Sequence, residues 1–217
     1  MIRLEESTKK YNNSKNEIMA LNQASLTINE GEMAAILGTS GCGKSTLLNI
    51  LGGMDRLTSG RYYFDGEDIA SYGGHKLHQF RKRNIGFVFQ NFALLNRYTV
   101  YENMEIPLLA RKQKHYRKRI MDCLEQLGIA EYAKSLPQKL SGGQQQRCAI
   151  GRALMTDCRV LLCDEPTGAL DSKTSKEIMD ILCKANSEGK TILIATHDSE
   201  VANRCGRLIH MEDGKLI

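Results

Sequence analysis

The 217-residue sequence contains no long apolar run, although 41% of its residues are hydrophobic. A helix that crosses a membrane needs about eighteen consecutive apolar residues, so we expect that this chain does not span one. Its first residues, Met1-Ile2-Arg3-Leu4-Glu5-Glu6, are charged where a signal peptide needs an apolar stretch. The sequence therefore predicts a cytoplasmic protein.

Paired cysteines are also missing, because no two of the seven cysteines form a Cys-x-x-Cys motif. They are scattered at Cys42, Cys123, Cys148, Cys158, Cys163, Cys183 and Cys205. Their odd number and their mostly apolar surroundings indicate reduced thiols in the core or on the surface.

The sequence also has no strongly asymmetric charge distribution and no stretch with the composition of a flexible linker. The net charge is +5, but basic residues are mostly interleaved with acidic ones, which favours a solvated surface and no nucleic-acid partner. There are only three prolines and no repeats, so we expect no long disordered linker. The length fits one domain, 1–217, with room for a small subdomain.

The hydrophobic pattern predicts an α/β fold. Alternation up to about residue 30, and again at 60–66, is typical of short strands in an antiparallel β layer. Short apolar runs, which predict the buried strands of a parallel sheet, occur at 33–37, 85–89, 160–163, 192–195 and 208–211.

A helical stretch interrupts this sheet pattern between residues 91 and 151. Ile120, Cys123, Leu124 and Leu127 recur at helical spacing, and Gly128 is placed to end the helix. We expect residues 91–151 to form a helical subdomain. Residues 1–90 and 152–217 would then form the core and the antiparallel layer.

A phosphate-binding loop follows the run at 33–37. Gly38-Thr39-Ser40-Gly41-Cys42-Gly43-Lys44-Ser45 matches G-x-x-x-x-G-K-[ST], with a strand predicted before it and a helix after it. Glycines allow the backbone N–H groups to point at phosphate oxygens, and the helix N-terminus adds partial positive charge. We expect Lys44 to reach the β and γ phosphates, Ser45 to ligate Mg²⁺, and Thr46 to donate to the α phosphate. A chance glycine-rich turn is the alternative.

Two carboxylates end the apolar run Val160-Leu161-Leu162-Cys163. At the carboxyl end of a buried strand, Asp164 can hold the magnesium shell while Glu165 faces the attacking water. A general base there contributes on the order of 10² to 10⁴ in rate. An acidic N-cap of the next helix would explain one carboxylate but not both.

Leu140-Ser141-Gly142-Gly143-Gln144-Gln145-Gln146-Arg147 resembles the signature motif of the ATP-binding cassette (ABC) ATPases, a family of P-loop enzymes. Ser-Gly-Gly would open a second anion-binding helix. The resemblance implies that this end of one cassette closes over ATP held by the P-loop of another. Two ATP molecules would thus be enclosed in a head-to-tail homodimer, with Ser141, Gly142, Gly143 and Gln144 contacting nucleotide. A merely N-capped polar helix is the alternative.

Four further positions resemble landmarks of the same family. Tyr11 resembles the aromatic residue that stacks on adenine, and Gln90 the glutamine that touches Mg²⁺ and the attacking water. Asp171, in Gly168-Ala169-Leu170-Asp171, resembles the residue that signals across the dimer. His197 resembles the histidine that contacts the γ phosphate. Taken alone, Tyr11 would more often be an ordinary surface or core residue, and a lone histidine would more often be structural.

Two smaller features carry expectations of their own. His75 and His78 have helical metal-ligand spacing, but no further ligand accompanies them, and we interpret them as loop residues. Cys42 stands where many members of the family have Ser or Ala. Lys44 and a helix N-terminus beside it favour thiolate, which predicts a reactive thiol that ATP would protect. The alternative is a buried, inert cysteine.

Residues 84–92 and the two motifs around Ser141 and Asp171 look most similar to the macrolide-exporter and lipoprotein-releasing (MacB/LolD) subfamily. That resemblance implies an ATPase subunit that uses two MgATP and docks on an integral membrane permease near residues 90–101, at the inner face of the membrane. Export and mechanotransmission both remain open. A soluble ABC ATPase acting on DNA or the ribosome is the alternative, although such relatives usually fuse two cassettes or insert coiled coil. A P-loop kinase or GTPase is a further alternative. It is disfavoured because no Asn-Lys-x-Asp motif occurs and because the signature sequence is present.

Overall fold

The computed structural model describes residues 1–13 and 16–217. The strands are β1 (Ile2–Asn13), β2 (Asn16–Ile28), β3 (Met33–Leu37), β4 (Ser59–Phe64), β5 (Glu67–Asp68), β6 (Ile85–Val88), β7 (Val160–Asp164), β8 (Thr191–Thr196), β9 (Arg207–Glu212) and β10 (Lys215–Leu216). The helices are α1 (Lys44–Leu51), α2 (Gly74–Asn84), α3 (Val100–Ala110), α4 (Arg117–Gln126), α5 (Gly142–Leu154), α6 (Ser172–Ser187) and α7 (Ser199–Ala202).

The central sheet has the strand order β10-β9-β3-β8-β7-β6. All neighbouring pairs are parallel except β9 with β10. Strand β8 is buried along its whole length, and β3 and β7 are buried up to their last residue, as the continuous apolar runs predicted. The predicted α/β fold is therefore confirmed. The carboxyl ends of β3, β8, β7 and β6 lie side by side along one edge of this sheet.

The antiparallel layer has the order β2-β1-β4-β5. The expectation of short strands is wrong, because β1 and β2 are 12 and 13 residues long. Their pairing shifts register between Leu4 and Ser7, between Ser7 and Lys9, and between Lys9 and Lys10. A register shift moves the following side chains to the other face of a sheet. The alternation that marks a long strand is therefore interrupted in the sequence.

His75 and His78 lie on helix α2 and are exposed, so the interpretation of these residues as part of a loop is wrong. The helix has only two buried residues, Leu77 and Phe80. The ring of Phe80 packs edge-on against Phe64 at 5.1 Å. Two buried positions in eleven residues give too short an apolar pattern to reveal a helix.

The helices between β6 and β7 have a hydrophobic cluster of their own, which includes Val100, Met104, Ile120 and Leu124. Helix α5 belongs to this cluster through Cys148, while its Ile150 packs against the central sheet. The helix thus connects the helical insertion to the core. Among the helices within residues 1–13 and 16–217, none combines the length and the apolar character required to cross a bilayer.

Candidate active site

A cleft of about 660 Å³ opens at the carboxyl edge of the central sheet. Loops that follow four adjacent strands meet there: Lys44 comes after β3, Gln90 after β6, Glu165 after β7 and His197 after β8. Ligands of open α/β sheets bind at such an edge. The remaining lining residues are Tyr11, Ile18, Met19, Ala20, Thr39, Ser40, Gly41, Gly43, Ser45 and Thr46.

The glycines of the phosphate loop permit a close turn before α1. Gly43 has a φ of 111°, and a Cβ there would overlap the Ala20 carbonyl oxygen of strand β2. A Cβ on Gly38 would overlap the Met211 carbonyl oxygen of β9. Only glycine tolerates both the conformation and the contact at Gly43. The first turn of α1 therefore begins at the cleft with its N–H groups directed along the helix axis.

Lys44 places a buried ammonium group inside this loop, with 6% of the residue exposed. Its Nζ donates to the carbonyl oxygens of Gly38 at 2.8 Å and Thr39 at 2.9 Å. The Glu165 carboxylate lies 3.9 Å away. Phosphate oxygens are stronger acceptors for an ammonium group than peptide carbonyls. Lys44 is thus placed to bind a phosphate chain that enters the loop.

Asp164 has the properties of a cation ligand. Burial, with a smaller contribution from the Glu165 charge, raises the pKa of Asp164 above its ordinary value, although the Ser45 hydroxyl donates to it. Its Oδ1 is buried and has no hydrogen-bond partner among residues 1–13 and 16–217. An unpartnered buried carboxylate oxygen is costly unless a cation or water satisfies it. Asp164, Ser45 and the Gln90 amide supply the oxygen ligands that Mg²⁺ prefers.

Glu165 adopts a left-handed conformation, with φ 46°. Its N–H donates to Ala195 O at 2.9 Å. Its carboxylate Oε1 lies 2.9 Å from His197 Nδ1, and the side chain is 12% exposed. A left-handed backbone conformation destabilises a non-glycine residue by about 1–3 kcal/mol, and such conformations are concentrated at functional sites. The strained turn directs the carboxylate into the cleft, where it can accept a proton from water.

Gln90 lies beside the loop that follows Glu165. A Cβ built on Gly168 would stand 3.3 Å from Gln90 Nε2. The structure thus brings Lys44, Gln90, Asp164, Glu165 and His197 together around one cleft edge, as the sequence patterns predicted for their positions.

Tyr11 stands at the other end of the cleft and is 38% exposed. Its hydroxyl donates to Asp55 Oδ2 at 2.6 Å. Lys9 Nζ lies 4.7 Å from the ring centre and 2.6 Å from Asp55 Oδ1. Burial, followed by the bond to Asp55, raises the pKa of Tyr11. The ring is thus held in a fixed orientation next to the phosphate loop.

Three apolar lining residues of the same end, Ile18, Met19 and Ala20, were missed in the sequence. They face the cleft because β2 pairs with β1, with Ile18 opposite Tyr11. In a hairpin with regular register, the pairing of Ile18 with Tyr11 could have been predicted from the sequence. The register shifts in β1 prevent that prediction.

The signature residues do not line this cleft. Ser141 caps α5 by accepting from Gln144 N, and the Gln144 side chain accepts in return from Ser141 N. A Cβ on Gly143 would overlap Thr174 of α6, so the glycine permits close packing of the two helices. Asp171 caps α6 by accepting from Thr174 N at 3.0 Å. The structure therefore separates Ser141, Gly142, Gly143, Gln144 and Asp171 from the P-loop of their own chain.

Cys42 is 6% exposed and belongs to the hydrophobic cluster around Leu47 and Met211. The expectation of an accessible, reactive thiol is therefore wrong, and the alternative of a buried cysteine agrees with the structure. The loop turns this side chain inward, toward Gly38 and away from the cleft. Its backbone remains part of the phosphate loop.

Comparisons with known proteins agree with this geometry. The family model described as "ABC transporter" matches residues 21–168. The ABC transporter ATP-binding protein YknY of Bacillus subtilis is 44% identical over the whole chain, which covers 95% of that protein. The macrolide export ATP-binding/permease protein MacB of Bartonella henselae is 45% identical over 99% of this chain, which spans 33% of MacB.

Solved structures give the same result. The dimeric structure of MJ0796, a bacterial ABC transporter cassette, superposes with a TM-score of 0.93 at 43% identity, covering 100% of this chain and 96% of that one. A post-hydrolysis dimer of MJ0796 bound to ADP and Pi also gives 0.93, at 42% identity and with the same coverage.

Proposed function

Because this chain belongs to the ABC transporter family, we propose that it is the ATP-hydrolysing subunit that powers a membrane permease. The observation that carries this proposal is the convergence of Lys44, Glu165 and His197 on one cleft. Beside it lies Asp164 Oδ1, which has no hydrogen-bond partner in the described part of the chain. The ligand is ATP with Mg²⁺, consistent with the ADP and Pi in the related MJ0796 structure.

The residues have distinct roles in this proposal. Ser45, Asp164 and Gln90 would hold Mg²⁺, and the ion would supply charge neutralisation for the phosphate chain. Lys44 exchanges its bonds to Gly38 O and Thr39 O for bonds to phosphate oxygens. Tyr11 stacks on the base, and the backbone of residues 38–46 surrounds the phosphates.

Glu165 is the general base. It orients water and accepts its proton as the oxygen bonds to the γ phosphorus, while the bond from that phosphorus to the β–γ bridging oxygen breaks and ADP leaves. His197 stabilises the Glu165 carboxylate through Nδ1, at 2.9 Å, and is close enough to the cleft to contact the γ phosphate.

The site is completed by a second copy. Ser141, Gly142, Gly143 and Gln144 lie outside the cleft of their own chain, and an exposed helix N-terminus binds anions. We propose a head-to-tail homodimer in which this end contacts the partner's ATP and Asp171 lies at the interface. The dimeric structure of the related MJ0796 cassette supports the dimer itself.

The permease would bind at the loop between β6 and α3. Leu95 and Tyr98 are each 46% exposed there, and a coupling helix of the permease needs an apolar surface of this kind. Residues 91–151 would act as a helical subdomain that moves against the core at the inner face of the cell membrane. The relatives named for macrolide export favour export across a membrane over action on DNA or the ribosome.

The substitution Glu165→Gln tests the proposal. We expect ATP binding to persist and turnover to fall about 10²-fold or more, because the amide cannot accept the proton. ATP should then retain a dimer on size-exclusion chromatography, since the neutral side chain removes repulsion with the γ phosphate. Lys44→Ala is the control that should form no ATP-dependent dimer. Hydrolysis by Glu165→Gln at the wild-type rate would contradict the assignment.

A further inference from the structure

Helix α5 contacts the catalytic loop of its own chain through Gln146. This residue is fully buried, two positions beyond Gln144. Its Nε2 donates to Pro166 O at 2.7 Å, and Pro166 directly follows Glu165. The helix that begins at the signature residues is thus hydrogen-bonded to the segment that carries the general base.

A glutamine at this buried position is unfavourable for packing alone. Its Oε1 is buried and has no partner among residues 1–13 and 16–217. A methionine of similar volume would fill the space without leaving a polar atom unsatisfied. The bond from Nε2 to Pro166 is the favourable interaction that the amide provides here.

The bonded segment is also strained. Glu165 has φ 46° and precedes a proline, which normally requires an extended conformation of the residue before it. The Glu165 N–H donates to Ala195 O. On the C-terminal side of Glu165, the Pro166 carbonyl oxygen accepts from Gln146. A conformation of this kind persists only when surrounding bonds fix it.

The same helix holds the loop that follows Gln90. Arg152 donates through Nη1 to Ala93 O at 2.5 Å and through Nη2 to Phe92 O at 3.1 Å. Phe92 and Ala93 have φ values of 61° and 47°. Both catalytic loops therefore have left-handed residues, and both are tied to α5 by side-chain donors.

We propose that Gln146 and Arg152 are positioning residues through which α5 sets Glu165 and Gln90 of its own chain in the geometry for hydrolysis. Because α5 starts at the signature end, contact with the partner's ATP would be transmitted along a rigid helix to both loops. The inference rests on the proposed function, and it adds the route by which one nucleotide site affects the other.

Kinetics of Gln146→Met test the first link. We expect kcat to fall about tenfold or more while KM for MgATP stays within about twofold, because the phosphate loop is untouched. Asn186→Leu is the matched control: its amide also bridges loop carbonyls, of Gly31 and Lys190, but at the opposite end of the sheet. That variant should lose thermal stability and retain kcat. An unchanged kcat in folded Gln146→Met would overturn the proposal.

The double variant Glu165→Gln with Gln146→Met separates positioning from a general structural role. We expect ATP to dimerise it as it dimerises Glu165→Gln alone, because the signature end of α5 remains intact. Loss of the dimer would show that Gln146 acts on the fold of α5 and would overturn the proposal. Failure of Glu165→Gln alone to dimerise, or an inactive wild-type chain, would instead count against the proposed function.

Arg152→Met tests the second link and provides a folded variant if Gln146 variants are unstable. We expect kcat to fall and the Mg²⁺ concentration for half-maximal activity to rise about threefold or more, because Gln90 is a proposed magnesium ligand. Arg152→Lys, which keeps one donor, should restore part of the activity. Gln146→Met should leave the Mg²⁺ dependence unchanged. An Arg152→Met chain with the wild-type kcat and Mg²⁺ dependence would overturn this link.

Discussion

At the scale of single residues, the adjacent carboxylates Asp164 and Glu165 have different surroundings. Burial raises the pKa of Asp164, and its Oδ1 is without a partner among the described residues. Glu165 turns away through its left-handed φ and meets His197. Asp164 is thus suited to bind a cation, and Glu165 is suited to accept a proton. The division follows from strand geometry, since β7 ends at Asp164.

The cysteines allow a prediction at the same scale. Under native conditions a maleimide should modify Cys183 first, because it is partly exposed, whereas Cys42 is 6% exposed. Burial raises the pKa of Cys205, the other partly exposed cysteine, to about 11, and its thiolate fraction at pH 7 is accordingly small.

Mass-spectrometric mapping of the labelled peptides gives the measurement. Cys42→Ser should have the same activity and the same sensitivity to maleimide as the wild-type chain. Early labelling of Cys42, with protection by ATP, would show that the phosphate loop opens enough to expose this thiol.

At the scale of elements, the sequence predicted the positions of those strands that are buried along most of their length. Strands β3, β7 and β8 have uninterrupted apolar runs, and their positions were predicted within one residue at either end. Helix α2 was not predicted, because it buries only Leu77 and Phe80. The spacing of apolar residues in a sequence reveals an element only when one of its faces is buried, and α2 has almost no buried face.

The candidate active site was likewise predictable from the sequence in some parts and not in others. Motif spacing predicted the residues at strand ends, because the parallel sheet brings those ends together. It could not predict that Gln146 bonds to Pro166, or that Arg152 bonds to Phe92, since these contacts depend on how α5 packs across the sheet. Contacts between a side chain and a distant carbonyl leave no periodic signal.

Asp157, in the turn after α5, connects three helices and provides a prediction at this scale. Its carboxylate binds Arg119 of α4 through both guanidinium nitrogens, and Arg111 at the end of α3 lies 3.9 Å away. Burial opposes ionisation, but the bonds and charge of Arg119 outweigh it, with smaller contributions from Gln113 and Arg111, and lower the pKa of Asp157. Stabilisation from a lowered pKa is present above the unfolded value of about 3.9 and is lost as pH falls through the folded value.

We therefore expect Asp157→Asn to lower the free energy of unfolding by about 0.5–1 kcal/mol at pH 7, because the pair is partly exposed. The difference in melting temperature from the wild-type chain should close below about pH 4. Asparagine tolerates the left-handed φ of 48°, so the backbone is not the cause. Asp213→Asn, at another left-handed aspartate that is exposed, is the control and should change little. A difference that does not shrink as the pH falls below about 4 would contradict the ion-pair explanation.

At the scale of the whole molecule, the two helix ends that we propose to contact ATP, at the starts of α1 and α5, are separate. Helix α1 begins at the cleft, whereas α5 begins outside it and packs through Gly143 against α6. In the proposed dimer, a single chain would therefore supply half of each composite site. Two chains arranged head to tail would complete both sites, and each site would contain the P-loop of one copy and the signature of the other.

Complementation between two inactive variants tests this arrangement. Ser141→Arg blocks the signature but leaves the P-loop intact, and Lys44→Ala impairs the P-loop but leaves the signature intact. Each should be nearly inactive alone, because each homodimer lacks a complete site. A mixed dimer contains one site with both parts intact, so mixing should restore part of the ATPase activity, with a maximum near equal amounts. Differently tagged chains allow co-purification to verify mixed dimers. If mixed dimers form and activity does not recover, then either the signature does not act in trans or hydrolysis requires both sites, and a linked dimer with one Ser141→Arg half distinguishes these outcomes.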